Sequence, residues 1–120
     1  MLFRSDLLVW QKSMDLVAEI YRLTLELPEA ERWGLVSQMR RAAVSIPSNI
    51  AEGYGRQATG EYRHHLSISR GSLLELETQI LLCEKLGYLK GHSTKAVLAD
   101  RKSTRLNSSH IQKSRMPSSA

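Results

Sequence analysis

A single cysteine, Cys83, in 120 residues excludes an internal disulfide, and with it any argument for an oxidising compartment. Long apolar runs are missing too. No stretch approaches the roughly 18 consecutive apolar residues that a membrane-spanning helix needs. The start, MLFRSDLLVWQK, lacks the features of a secretory signal, because its apolar run from Leu7 to Trp10 is short and Asp6 precedes it. These absences make a cytoplasmic protein with no membrane role the expectation. The length allows one domain with a modest core.

Net charge is missing from most of the chain. Overall, 17 Lys+Arg against 12 Asp+Glu leave +5, which invites a nucleic-acid reading. Residues 1–100 nevertheless balance, with 12 bases against 12 acids. Arg101, Lys102, Arg105, Lys113 and Arg115 carry the whole excess, and no acid accompanies them. Ser- and Thr-rich and poor in apolar residues, residues 101–120 read as a disordered basic tail behind a helical domain of residues 1–100.

What is present is helical periodicity. Leu7, Trp10, Met14, Val17 and Tyr21 follow steps of three and four, and Val9, Leu16, Ile20, Leu23 and Leu27 form a second stripe beside them. This predicts a helix over about 7–27, stopped by Pro28. Its apolar face is wider than one neighbouring helix covers, so Val9, Trp10, Leu16, Ile20 and Leu23 are candidates for an oligomer interface. A second helix is predicted from near Glu31 to about Tyr54, with Leu35, Met39, Ala42, Ala43 and Ile46 inward. Pro47 should kink it or split it in two. Small Ala42, Ala43, Ser45 and Ser48 would allow another backbone to come close.

Gly53 to Gly60 reads as a loop, with Thr59 a candidate cap for a third helix. There Leu66, Ser69, Leu73, Leu76, Ile80 and Cys83 keep a strict heptad seam, flanked by Ile68, Leu74, Leu81, Leu82 and Leu86. Gly87 is placed to end this helix in the left-handed conformation. Ser93 or Thr94 would cap a fourth helix, of which only Ala96 to Ala99 keeps the pattern.

Polar residues are weighed against this frame. Arg40, Arg56, Arg63 and Arg70 could form a nucleic-acid or partner surface. Arg41, Asn49, Glu52, Glu75 and Glu77 suit a structural network, with Arg41 meeting Glu75 or Glu77 between helices, since buried charges need partners. Catalytic and metal signatures fail on spacing. Adjacent His64 and His65 project about 100° apart on a helix. Glu75 and Glu77 diverge, and Cys83 sits in the seam as a small hydrophobe. The run Ser69 to Ser72 lies mid-helix, where no phosphate loop forms, and Gly53 with Gly55 is no nucleotide fingerprint. Tyr54 and Tyr62 could stack on bases or simply pack. Trp10 and Trp33 read as core or subunit-contact anchors. No enzyme activity, metal or cofactor is expected.

Three segments, FRSDLLVWQKSMDLV, SQMRRAAVSIPSNIAEGYGR and EYRHHLSISRGSLLELETQILLCEKLGYL, resemble the bacterial four-helix-bundle proteins encoded by intervening sequences in 23S ribosomal RNA genes. The likeness spans residues 3–99 and is most specific in the middle segment. It implies an all-α, up-down four-helix bundle that assembles as a barrel-shaped homopentamer. Related proteins, the accessory variability determinants of diversity-generating retroelements, bind a reverse transcriptase and nucleic acid. The family completes a long fourth helix, and here the chain departs from it. DRKSTRLNSSH resembles the translation of a sequencing adapter, as LFRSDL does of the opposite strand. The fourth helix is therefore expected to be truncated, residues 101–120 non-native, and assembly of this chain weak. The functional expectation is a non-enzymatic homo-oligomeric scaffold, pentameric by resemblance, that presents basic residues to RNA or DNA. The alternatives are an accessory subunit gripping a reverse transcriptase, or a structural oligomer with no nucleic-acid role.

Overall fold

The computed structural model describes residues 4–56, 59–91, 94–95 and 97–99. It is all-helical: α1 spans Arg4–Thr24, a 3-10 turn Glu29–Glu31, α2 Leu35–Tyr54 and α3 Thr59–Lys85. Residues 94, 95 and 97–99 begin a fourth helix, and Thr94 and Val97 are buried. The tail expected over 101–120 lies outside the described residues. Helix α2 is the shared wall of this up-down bundle, packing along α1 on one side and α3 on the other.

Helix α1 ends three residues earlier than the position of Pro28 suggests. The Thr24 hydroxyl donates back to the carbonyls of Ile20 (2.8 Å) and Tyr21 (3.1 Å). Beyond it, Leu25, Glu26 and Leu27 close with tighter i→i+3 bonds to Arg22, Leu23 and Thr24. The predicted start of α2 near Glu31 is likewise divided, into the 3-10 turn and then α2 from Leu35. Gly34 occupies the junction, at φ −104° and ψ −110°. A Cβ there would lie 2.7 Å from Glu31 Oε1, the oxygen that accepts the Leu35 N–H at 3.2 Å. Glu31 thus caps α2 from four residues upstream, and its Oε2 accepts the Tyr88 hydroxyl at 3.0 Å.

Pro47 lies within one continuous helix, not between two. The seam of α3 is buried throughout, from Leu66 to Cys83, with Cys83 Sγ 3.6 Å from Met39 Sδ of α2. Gly87 takes φ +78° and ends α3 as the pattern predicts. The N–H of Tyr88 bonds the Cys83 carbonyl at 2.9 Å, and that of Gly87 bonds Glu84 at 3.0 Å, which is a Schellman closure.

Candidate interaction surface

The second stripe of α1 is the inward one. Val9, Leu16, Ile20 and Leu23 are between 0 and 4% exposed inside a single chain, so they cannot also meet another subunit. That corrects their expected interface role: the width of the apolar face is shared between two jobs. Core packing takes one stripe and leaves the other, with Leu7, Met14 and Tyr21 exposed and Trp10 and Val17 half-buried. Of the expected interface residues, only Trp10 belongs to the stripe that remains open.

This outer stripe forms one wall of a groove whose other wall is α2. At one end Trp10, Met14 and Val17 face Val44, Pro47 and Ala51 across about 360 Å³. At the other, Tyr21 faces Trp33, Val36, Arg40 and Val44 across about 590 Å³. Val44 lines both, so the two hollows are one channel along α1 and α2. Its wide end carries Arg32, Arg40 and Arg41 and no carboxylate. Trp33 stands there 83% exposed, with the Arg32 guanidinium 5.1 Å from its ring centre. Pro47 contributes a buried ring to this floor.

Arg40, Arg56, Arg63 and Arg70 do not gather into one patch. Arg40 and Arg56 are sixteen residues apart, about 24 Å along a helix axis. Arg40 is committed to α1: its Nε donates to Thr24 Oγ1 at 2.9 Å, a terminal nitrogen reaches the Tyr21 carbonyl at 3.3 Å, and the guanidinium sits 4.4 Å over the Tyr21 ring. Arg56 pairs with Glu52 at 2.7 Å. Arg63 and Arg70 are half-buried on α3.

The expected network takes a different form. Arg41 donates to Ser37 (3.0 Å) and Glu75 accepts from Gln79 (3.2 Å), so each bonds within its own helix instead of across the pair. Glu52 serves Arg56. Asn49 does link helices. Its Nδ2 donates to the Ser45 carbonyl (2.8 Å) and hydroxyl (3.0 Å), and its Oδ1 accepts from His65 Nδ1 at 3.1 Å. Ser72 donates to Ser45 Oγ at 2.9 Å, and Ser69 to the Ile46 carbonyl at 3.1 Å. His65, Ser45, Ser69 and Ser72 had no motif to mark them; the signal available was small polar residues interrupting apolar seams. Beside this chain, Arg41, Ser45, Ser72 and Glu75 line a more polar groove between α2 and α3.

Tyr54 and Tyr62 pack edge to face, with ring centres 5.9 Å apart and Tyr62 buried, so the packing reading describes them and an open stacking platform does not. Burial, then the charge of Glu31, pushes the Cys83 thiol up to about 11, which keeps it a thiol at neutral pH. Among the described residues, no three His, Cys, Asp or Glu side chains converge as metal ligands. No described helix is long and apolar enough to cross a membrane.

Fold and surface together define a class: a small helical bundle that leaves an apolar face open among the described residues. The chain belongs to the 23S rRNA-intervening sequence protein family, which matches residues 5–107 and so extends past Asp100. A crystal structure of a protein of unknown function from the S23 ribosomal protein family of Bacteroides thetaiotaomicron shares the fold. The TM-score is 0.81 at 21% identity, over 91% of this chain and 98% of that one. No curated protein sequence matches the chain.

Proposed function

We propose that this protein is a non-enzymatic building block that works as a homo-oligomer in the cytoplasm, with five copies per assembly as the family resemblance implies. The observation that carries this reading is the channel between α1 and α2. A water-exposed Trp33, with Met14, Tyr21 and Val44 exposed along the same strip, is the composition of a surface that becomes covered. The balanced charge of residues 1–100 fits protein-protein packing better than phosphate neutralisation. The walls of the channel come from α1, α2 and the turn that precedes α2.

Light scattering over a concentration series tests it: the mass should rise from the 13.6 kDa chain to a fixed multiple. A monomer at every concentration would remove the proposal and favour an accessory subunit whose channel grips a larger enzyme, such as a reverse transcriptase. A second reading, contact with single-stranded RNA or DNA, is favoured by the Trp33 corner, where an exposed indole stands among Arg32 and Arg41. Binding to a labelled oligonucleotide should then weaken steeply as salt is raised. Absence of binding at low salt eliminates that reading.

A further inference from the structure

The channel is not the only uncovered apolar strip. On α3, Glu61, Ile68, Glu75 and Leu82 recur every seven residues, and Leu86 follows one turn later. All five are exposed. Helical geometry puts them within about 60° of one another, on a line distinct from the buried seam of Leu66 to Cys83. The third helix therefore carries a second, outward seam, apolar with acidic members.

We propose, building on the homo-oligomer reading, that this outward ridge of α3 is the occupant of the α1–α2 channel of the next copy. Three features match. The ridge from Glu61 to Leu86 is about 37 Å long, enough to fill the roughly 22 Å of channel that α2 offers from Val36 to Ala51. The channel's charged members are the cations Arg32, Arg40 and Arg41, whereas those of the ridge are Glu61 and Glu75. The channel also accepts a convex object: it is a cleft between two helices, and a line of side chains on one helix fills such a cleft by ridges-into-grooves packing.

The arrangement has a geometric consequence. Ridge and channel are different surfaces of the same chain, so the contact is heterologous and each copy has two different neighbours. The α1–α2 channel and the α2–α3 groove adjoin, because Arg41 and Ser45 line both, and Glu75 of the ridge lines that groove, which puts ridge and channel on adjacent sides of the bundle. Adjacent sides of a four-helix bundle are about 90° apart, close to the neighbour-to-copy-to-neighbour angles of roughly 90–120° in rings of four to six. A turn of that size from copy to copy is the one that a small closed ring requires.

Complementation between two variants of the full chain tests this. Met14→Arg with Val44→Arg spoils the channel, and Ile68→Arg with Leu82→Arg spoils the ridge. All four sites are exposed, so helicity by circular dichroism should match wild type, which separates lost assembly from lost folding. Each variant alone should have the mass of one chain. Mixed in equal amounts they should reach two chains and stop, because one intact channel and one intact ridge remain. A folded ridge variant that keeps the wild-type mass, or a mixture that stays monomeric, overturns the pairing while leaving the homo-oligomer intact. A monomeric wild type overturns both.

Discussion

Arg40 holds the end of one helix from the side of another. The guanidinium adds a donor to the Tyr21 carbonyl, which the Thr24 hydroxyl also serves, another to the Thr24 hydroxyl itself, and a positive charge at the negative end of the helix dipole. Replacing it with alanine should cost about 1–2 kcal/mol, and Arg40→Lys should recover only part, since an ammonium cannot span both acceptors while covering the Tyr21 ring. Urea unfolding of the two variants checks this; an unchanged midpoint for Arg40→Ala would show that water serves those groups equally well. Nothing local in the sequence announces the role, because the acceptors lie sixteen and nineteen residues upstream. The same limit hid His65 and Ser72, whose partners are on α2. Cys83 was legible because its meaning depends on its own helix, through its place in a heptad.

At the scale of the element, what could be read was what repeats or terminates. The seam of α3 and its glycine stop needed no knowledge of neighbours. The ends of α1 and α2 were less legible, since Thr24 back-bonding and the upstream Glu31 cap compete with the plain stop at Pro28. Which of two parallel stripes on α1 faces inward was beyond periodicity altogether, because both satisfy it equally and only the position of α2 decides. The α3 stop gives a clean prediction. At Gly87 an added Cβ meets nothing within 4 Å, so Gly87→Ala should cost only the left-handed backbone penalty, about 1 kcal/mol, without a packing term. Thermal unfolding measures it, and a loss several times larger would mean that the Schellman closure itself had opened.

For the molecule as a whole, stability should decline in alkali. Cys83 ionises near 9.0 when free and near 11 when folded, so the native state holds a proton that the unfolded chain releases. The contribution is complete below pH 9 and is lost as pH rises through 11, at about 1.4 kcal/mol per pH unit. Tyr88 acts in the same direction, its phenol raised first by the hydrogen bond to Glu31 and then by burial. Denaturant midpoints at pH 8, 9.5 and 10.5 should fall, and less steeply in Cys83→Ala; parallel slopes would contradict the assignment. The serine and asparagine bonds between α2 and α3 bear on how the bundle can move. Leu66, Leu73 and Ile80 are near-equivalent knobs, so an all-leucine seam could slide by one heptad, about 10 Å, and find nearly the same apolar packing. His65 with Asn49, Ser69 with Ile46, and Ser72 with Ser45 fit at only one setting, and a displaced α3 would bury each of them without a partner. These few hydroxyls, one imidazole and one amide work as the notches of a key that holds α3 against sliding along α2.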